Sequence, residues 1–183
     1  MIPARLVLAD PPWAPNDKLP GATRGAARNY DVMSVEDLCA YPLPPIADDA
    51  ILLLWRLASM QEEALRVARA WGFEPKTEVV WVKTNGDGVP VFGMGRYFRG
   101  AHETCLVAGR GKAASLVVDK SMRSVFFAPR GEHSAKPEVF YRTAERLCLG
   151  PRVELFARGA PRAGWDAYGR EAVGAPESPA GGI

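Results

Sequence analysis

Apolar positions along this chain alternate between two periodicities. Arg5–Ala9 (RLVLA), Ala50–Trp55 (AILLLW) and Thr77–Val82 (TEVVWV) are short, nearly unbroken runs bounded by turn residues. Continuous apolarity over so few residues predicts strands buried on both faces, as in a parallel sheet. Thr104–Ala108, Ser124–Ala128 and Arg152–Phe156 predict three more strands, and Leu116–Val118 a short one at an edge. Helical spacing lies between them. Ser59-x-x-Glu62 has the form of a capping box, with Met60, Ala64, Val67, Ala68 and Trp71 following until Gly72. Ser34, with Asp37 in the first turn, opens a shorter helix. Pro137 starts a third, whose face is Phe140, Ala144 and Leu147 and which Gly150-Pro151 ends. Strands and helices in alternation predict an α/β fold, a mostly parallel sheet with helices on both faces.

Three stretches break this rhythm. Residues 14 to 29 read as a polar loop carrying Lys18, Arg24 and Arg28, and residues 84 to 101 as a Gly-rich one ending in Arg96, Tyr97 and Arg99. Loops of that length are more often functional than decorative. From Ala172 the chain is mainly Ala, Gly, Pro and Ser, a composition that cannot build a core. The expectation is one domain over residues 1–171 and a disordered tail over 172–183, in keeping with a total of 183 residues.

Composition excludes more than it identifies. Lys and Arg number 23 against 21 acidic residues, so any nucleic-acid contact has to come from local features. The longest apolar run, Ala50–Trp55, is far too short for a membrane helix, and four apolar residues between Arg5 and Asp10 do not make a signal peptide. Three cysteines without a CxxC, and two histidines, argue against a disulfide framework and a metal site, and for a reducing cytoplasm.

The candidate chemistry begins at Asp10-Pro11-Pro12-Trp13, directly after the first strand. Ligands of open α/β sheets bind beyond the carboxyl ends of the strands. Two prolines stiffen the turn and remove two N–H donors, leaving a carboxylate, bare carbonyls and an indole side by side. Such a set suits a planar ligand with an exocyclic amine, accepting its two N–H bonds and stacking on its face. A helix-entry turn with a core tryptophan is the plainer alternative.

The ordered motifs resemble the MT-A type of S-adenosylmethionine-dependent adenine N6-methyltransferases. The resemblance runs from Leu6 to Glu171. Besides the tetrapeptide it includes Tyr30 with Met33-Ser34, the Ile51–Trp55 strand, Trp71-Gly72-Phe73, and Trp81-Val82-Lys83-Thr84-Asn85. It continues through Arg99-Gly100, His102-Glu103, His133-Ser134-Ala135-Lys136-Pro137-Glu138, Glu154-Leu155-Phe156-Ala157-Arg158, Gly164-Trp165 and Gly169.

That resemblance implies a Rossmann-like fold with permuted motif order, the catalytic tetrapeptide first and the cofactor strand, Arg152–Phe156, last. It implies S-adenosylmethionine as cofactor and nucleic acid as partner, DNA before RNA. It makes Asp10, Pro11, Pro12 and Trp13 catalytic, Asp10 and the Pro11 carbonyl accepting the N–H bonds of the adenine amine; whether Asp10 also takes the proton stays open. Asp10, His102, Ser134, Lys136, Glu154, Arg158, Gly169, Arg170 and Glu171 fall on the cofactor side. Lys136 is matched to the methionine carboxylate, Ser134 to the cap of the third helix, and Glu171 to the ribose. The family has Asn where Arg170 stands, and Glu154 reads equally as a ribose contact or as a strand residue. Tyr30 and Lys83 fall on the substrate side, with Arg24, Arg28, Arg96 and Arg99 as phosphate contacts. So small a chain implies a homodimer or a partner subunit. A silent subunit of the same fold, an N4-cytosine methyltransferase and a methyltransferase on a small molecule or protein amide are the alternatives. The intact tetrapeptide, with Asp rather than Ser first, weighs against the first two.

Overall fold

The computed structural model describes residues 2–14, 32–93, 95, 97–131, 135–169 and 171–172, the last two by backbone alone. Seven strands form the main sheet: β1 (Ala4–Ala9), β2 (Ile46–Arg56), β3 (Glu74–Thr84), β4 (His102–Arg110), β5 (Val125–Pro129), β6 (Arg152–Leu155) and β8 (Asp166–Tyr168), in the order β5-β3-β4-β2-β1-β6-β8. Two more, β7 (Arg158–Gly159) and β9 (Glu171–Ala172), pair with each other in parallel. Six of the seven predicted strands are present, several extended by a few residues.

The sheet is mostly parallel, as expected, with one reversal: β4 runs antiparallel to both of its neighbours, β2 and β3. The reason lies in the connections. Parallel neighbours need a crossover, usually a helix. Residues 85–101 between β3 and β4 contain no helical apolar spacing, so the chain turns back beside the strand it left. Helix α2 (Gln61–Ala70) carries β2 to β3 in the parallel sense, bridging the place that β4 later fills.

Helices cover both faces. Leu38 of α1 (Val35–Cys39) and Ala64, Val67 and Ala68 of α2 pack with Val7, Leu52 and Leu54. Phe140 and Ala144 of α3 (Glu138–Leu147) pack with Leu6, Leu8, Leu53 and Trp81 on the other face. The alternation of Leu6, Val7 and Leu8 between the two clusters explains the unbroken apolarity of β1. The Trp71 indole N–H donates to the Leu38 carbonyl at 2.7 Å and ties α2 to α1.

Three local expectations need correction. Ser59 does not cap α2: Met60 holds the N-cap position with no side-chain cap, because burying its thioether side chain (2% exposed) fixes where the helix begins. The α3 N-cap is Pro137, not Ser134. Leu116–Val118 is no strand; a 3₁₀ turn spans Ala113–Leu116, anchored where the Lys112 N–H donates to Asp49 Oδ1 at 2.6 Å, and Val118 N–H donates to the Leu147 carbonyl instead. Ser34 does cap α1, accepting from the Asp37 N–H at 3.0 Å. Ala172, expected in the tail, pairs with Gly159 in β9, and the rest of the tail, residues 173–183, lies outside the described residues.

Candidate active site

Every parallel strand of the main sheet ends on one edge, and the antiparallel β4 begins there. That edge therefore collects Asp10 after β1, Lys83 near the end of β3, His102 and Glu103 at the start of β4, and Gly169 after β8. The tetrapeptide is fastened on both sides. Met33 N–H donates to the Pro12 carbonyl at 2.8 Å, Trp13 N–H to the Pro11 carbonyl at 2.9 Å, and the Trp13 indole N–H to the Trp55 carbonyl at 2.8 Å. The proline carbonyls are therefore not bare: each accepts one backbone bond and keeps one lone pair. Trp13 is 4% exposed and belongs to the core, so its part in the site is to anchor the turn to β2.

A chain of ion pairs crosses the edge. The Lys136 ammonium lies 2.7 Å from Asp10 Oδ2 and 3.3 Å from Glu103 Oε2, and Lys83 lies 2.6 Å from Glu103 Oε1. Lys136 also stands 5.0 Å over the Trp55 ring, and Lys83 5.5 Å over Trp81. Burial opposes the charge on Lys136, but Asp10 and Glu103 outweigh it and its pKa is raised. Burial likewise works against ionised Glu103, and Lys136 and Lys83 overcome it, so its pKa is lowered. Both groups stay charged at neutral pH. Lys83, first assigned to substrate, is thereby a member of this network.

Among the residues expected to meet the cofactor, Glu154 of β6 accepts from the Tyr141 hydroxyl at 2.8 Å. Burial raises the Glu154 pKa despite that bond, and the Asp10 charge adds to the rise. Tyr141 is pushed up by burial and then by Glu154, so it acts only as a hydrogen-bond donor. Gly169 passes so close to the chain that a Cβ there would stand 2.7 Å from the Ala157 carbonyl oxygen and 2.8 Å from its nitrogen. Ala157 N–H donates to the Tyr168 carbonyl at 3.0 Å, and Phe156, between β6 and that crossing, has φ 59°. Arg158 is exposed at the start of β7, in register with Glu171 of β9. His102 is exposed, cross-strand from Val82. Arg99 is exposed in the β3–β4 loop. Tyr30, Arg24, Arg28, Arg96, Ser134, Arg170 and the side chain of Glu171 lie outside the described residues.

The donor set fits an amino-acid zwitterion. Asp10 and Lys136 pair with each other at 2.7 Å, and a ligand bearing one ammonium and one carboxylate could exchange into that pair without leaving a charge alone. Three residues of the site were not foreseen. Glu103 joins the two lysines, Trp55 lies beneath Lys136, and Tyr141 holds Glu154. Their signal was faint: Glu103 and Trp55 stand at strand ends on the ligand-binding edge, and Tyr141 follows the apolar Phe140 on α3.

A mostly parallel sheet that gathers an Asp-Pro-Pro-Trp turn, a buried ammonium and a glycine crossing at its carboxyl edge defines an α/β protein of the Rossmann-like methyltransferase type. The sequence profile of the MT-A70 family matches residues 4–171, and the chain belongs to that family. Among its relatives is an N(6)-adenosine-methyltransferase MT-A70-like protein of Drosophila melanogaster, 31% identical over 156 residues, covering 84% of this chain and 24% of that protein. The human N(6)-adenosine-methyltransferase catalytic subunit METTL3 is 30% identical over 156 residues, covering 84% of this chain and 25% of that one. The type II methyltransferase M.MunI of a Mycoplasma species is 29% identical over 186 residues, covering 91% of this chain and 77% of that enzyme. The chain thus spans about a quarter of the length of the animal relatives and most of the bacterial one.

Proposed function

We propose that this chain transfers a methyl group from S-adenosylmethionine to the exocyclic N6 amine of adenine in nucleic acid, with DNA as the substrate. The observation that carries the reading is the Asp10–Lys136 pair on the ligand-binding edge, set in a turn that two prolines and the Trp13 anchor hold rigid. DNA is favoured by the likeness to a type II methyltransferase, 29% identical over 91% of this chain. RNA is the second reading, supported by the names of the adenosine methyltransferases at a similar identity.

S-adenosylmethionine, when bound, supplies an electrophilic methyl group on a sulfonium. The chain's residues do the rest. The adenine amine is a poor nucleophile because its lone pair is delocalised into the ring. Asp10, and the remaining lone pair of the Pro11 carbonyl, accept its two N–H bonds and favour the pyramidal nitrogen with its developing positive charge. This is electrostatic preorganisation, and losing such a partner costs about a hundredfold or more in rate. Lys136 would receive the methionine carboxylate. Glu154 and Arg158 would hold the ribose and adenine of the cofactor. A bound amino-acid zwitterion would exchange into the Asp10–Lys136 pair and free the Asp10 carboxylate from Lys136.

The test is transfer of radiolabelled methyl groups to adenine-containing DNA and RNA oligonucleotides by the purified chain. Label in DNA adenine supports the proposal, and label in RNA alone moves it to the second reading. No label in either, from a chain that binds S-adenosylhomocysteine, contradicts it for the isolated chain and leaves the partner-subunit alternative.

A further inference from the structure

The loop joining β3 to β4 carries the two most exposed aromatic rings among the described residues, Tyr97 at 92% and Phe98 at 90%. Its backbone is nonetheless tied. Lys83 N–H donates to the Ala101 carbonyl at 2.8 Å, Val91 N–H to the Lys83 carbonyl at 2.9 Å, and Gly93 N–H to the Gly100 carbonyl at 2.8 Å, closing a neck below the two rings. Inside the neck the turn is too tight for a side chain: a Cβ on Gly95 would stand 1.7 Å from the Phe98 carbonyl oxygen. An ordered loop costs conformational entropy. Burying two aromatic rings would repay it, yet these rings are in water, so folding gains nothing from them.

Their position gives them a use. The neck is bonded to Lys83, whose ammonium meets Glu103, which meets Lys136 and so Asp10. Arg99 follows the tip in sequence, and Arg130, also exposed, stands at the foot of the neck, its N–H donating to the Thr84 carbonyl at 3.2 Å. Two bare rings with an arginine next to them in the chain and another at the foot of their neck, on a loop that springs from the edge bearing the site, suit a nucleic-acid strand better than a protein. Protein interfaces call for a broad apolar patch, whereas a base stacks on the face of a single ring.

We propose that Tyr97 and Phe98 form a stacking tip that enters nucleic acid beside the target adenine. Extruding a base leaves a gap in the stack, and an inserted apolar side chain fills it. The inference rests on the adenine-methyltransferase reading above and adds to it the element that grips the strand.

The experiment compares wild type with Tyr97→Ala/Phe98→Ala and Tyr97→Trp/Phe98→Trp. Binding to labelled single-stranded oligodeoxyadenylate and to mixed-sequence duplex DNA is followed over a range of salt, with S-adenosylhomocysteine affinity measured in parallel. The alanine variant is expected to lose about 5- to 150-fold per ring, the equivalent of ~1–3 kcal/mol per stacked base. The slope of affinity against salt should stay as in wild type, because no phosphate contact is removed. S-adenosylhomocysteine affinity should also be unchanged, and the tryptophan variant should bind as wild type. If the alanine variant binds both probes as tightly as wild type does, the stacking tip is overturned while the methyltransferase reading stands. If wild type binds neither probe, the stacking tip and the DNA reading both fall.

Discussion

The Lys136 ammonium and the Asp10 carboxylate meet at 2.7 Å across 126 positions of sequence, on the one edge of the sheet where its parallel strands end. The Lys136 side chain is 7% exposed and Asp10 34%. One charge is thus enclosed while the other faces the space a ligand would enter.

Replacing Lys136 with methionine keeps the stem's packing and strands Asp10. Removing one partner of a fully buried pair costs about 3–5 kcal/mol; with Asp10 a third exposed, Lys136→Met is expected to cost ~2–3 kcal/mol in urea unfolding. Calorimetry with S-adenosylhomocysteine should show affinity reduced at least about tenfold, the size of one lost charge-assisted bond. Unchanged affinity would remove Lys136 from the cofactor side.

Glu103 is expected to be a positioning residue, since it touches both lysines and acts through them. Glu103→Gln keeps the shape and removes the charge. With Lys136 no longer aimed, kcat should fall between about tenfold and a hundredfold. Steady-state kinetics should place most of the loss in kcat, and Glu103→Asp should recover part of it. A purely structural role would lower the amount of folded protein and leave kcat per folded molecule intact.

Much of this arrangement was legible in the sequence, and the part that was not has a common cause. β1, β2 and β3 announced themselves through apolar runs, and Ser34 and Pro137 marked helix starts. A run such as Thr104–Ala108 carries no direction, so the reversal of β4 had to be inferred from what precedes it: residues 85–101 lack the spacing of a crossover helix. The capping box at Ser59 failed because Met60 had a stronger claim to burial than Ser59 had to a hydrogen bond. Lys136 and Asp10 were each assigned roles without the sequence revealing that they touch. Glu103 was hidden for the same reason, as the long-range register that brings β4 beside β3 is written in no local pattern.

At Gly169 the expected effect is steric. A methyl group there collides with the Ala157 backbone at 2.7 and 2.8 Å, and backbone atoms cannot swing aside as a side chain can. Gly169→Ala should destabilise by about 1–3 kcal/mol, as overpacking does. It should also weaken S-adenosylhomocysteine binding, measured by calorimetry on the folded fraction, because the crossing beyond β6 and β8 is displaced. Wild-type affinity would show that the cofactor does not use this crossing.

The acid limb of the stability curve should depend on Arg162. Its guanidinium donates to both Glu138 carboxylate oxygens, at 2.6 and 2.8 Å. Arg162 and then Arg142 hold the Glu138 pKa down to about 2. A depressed carboxyl contributes stability above its unfolded value near 4.5, and loses that contribution as pH falls toward 2. Wild type and Arg162→Ala should therefore differ most at neutral pH and converge between pH 4.5 and about 2, followed by chemical denaturation. A difference that does not change with pH would show that Arg162 acts only by packing.

The most direct test of the central claim is nucleoside mass spectrometry on DNA and RNA from a host lacking its own adenine methylation, expressing either wild type or Asp10→Ala. The expected result is N6-methyladenine in DNA with wild type and its loss, to about a hundredth or less, with Asp10→Ala. N6-methyladenine at the same level with both proteins would contradict the role given to Asp10, and its absence from both nucleic acids with wild type would contradict the proposed activity.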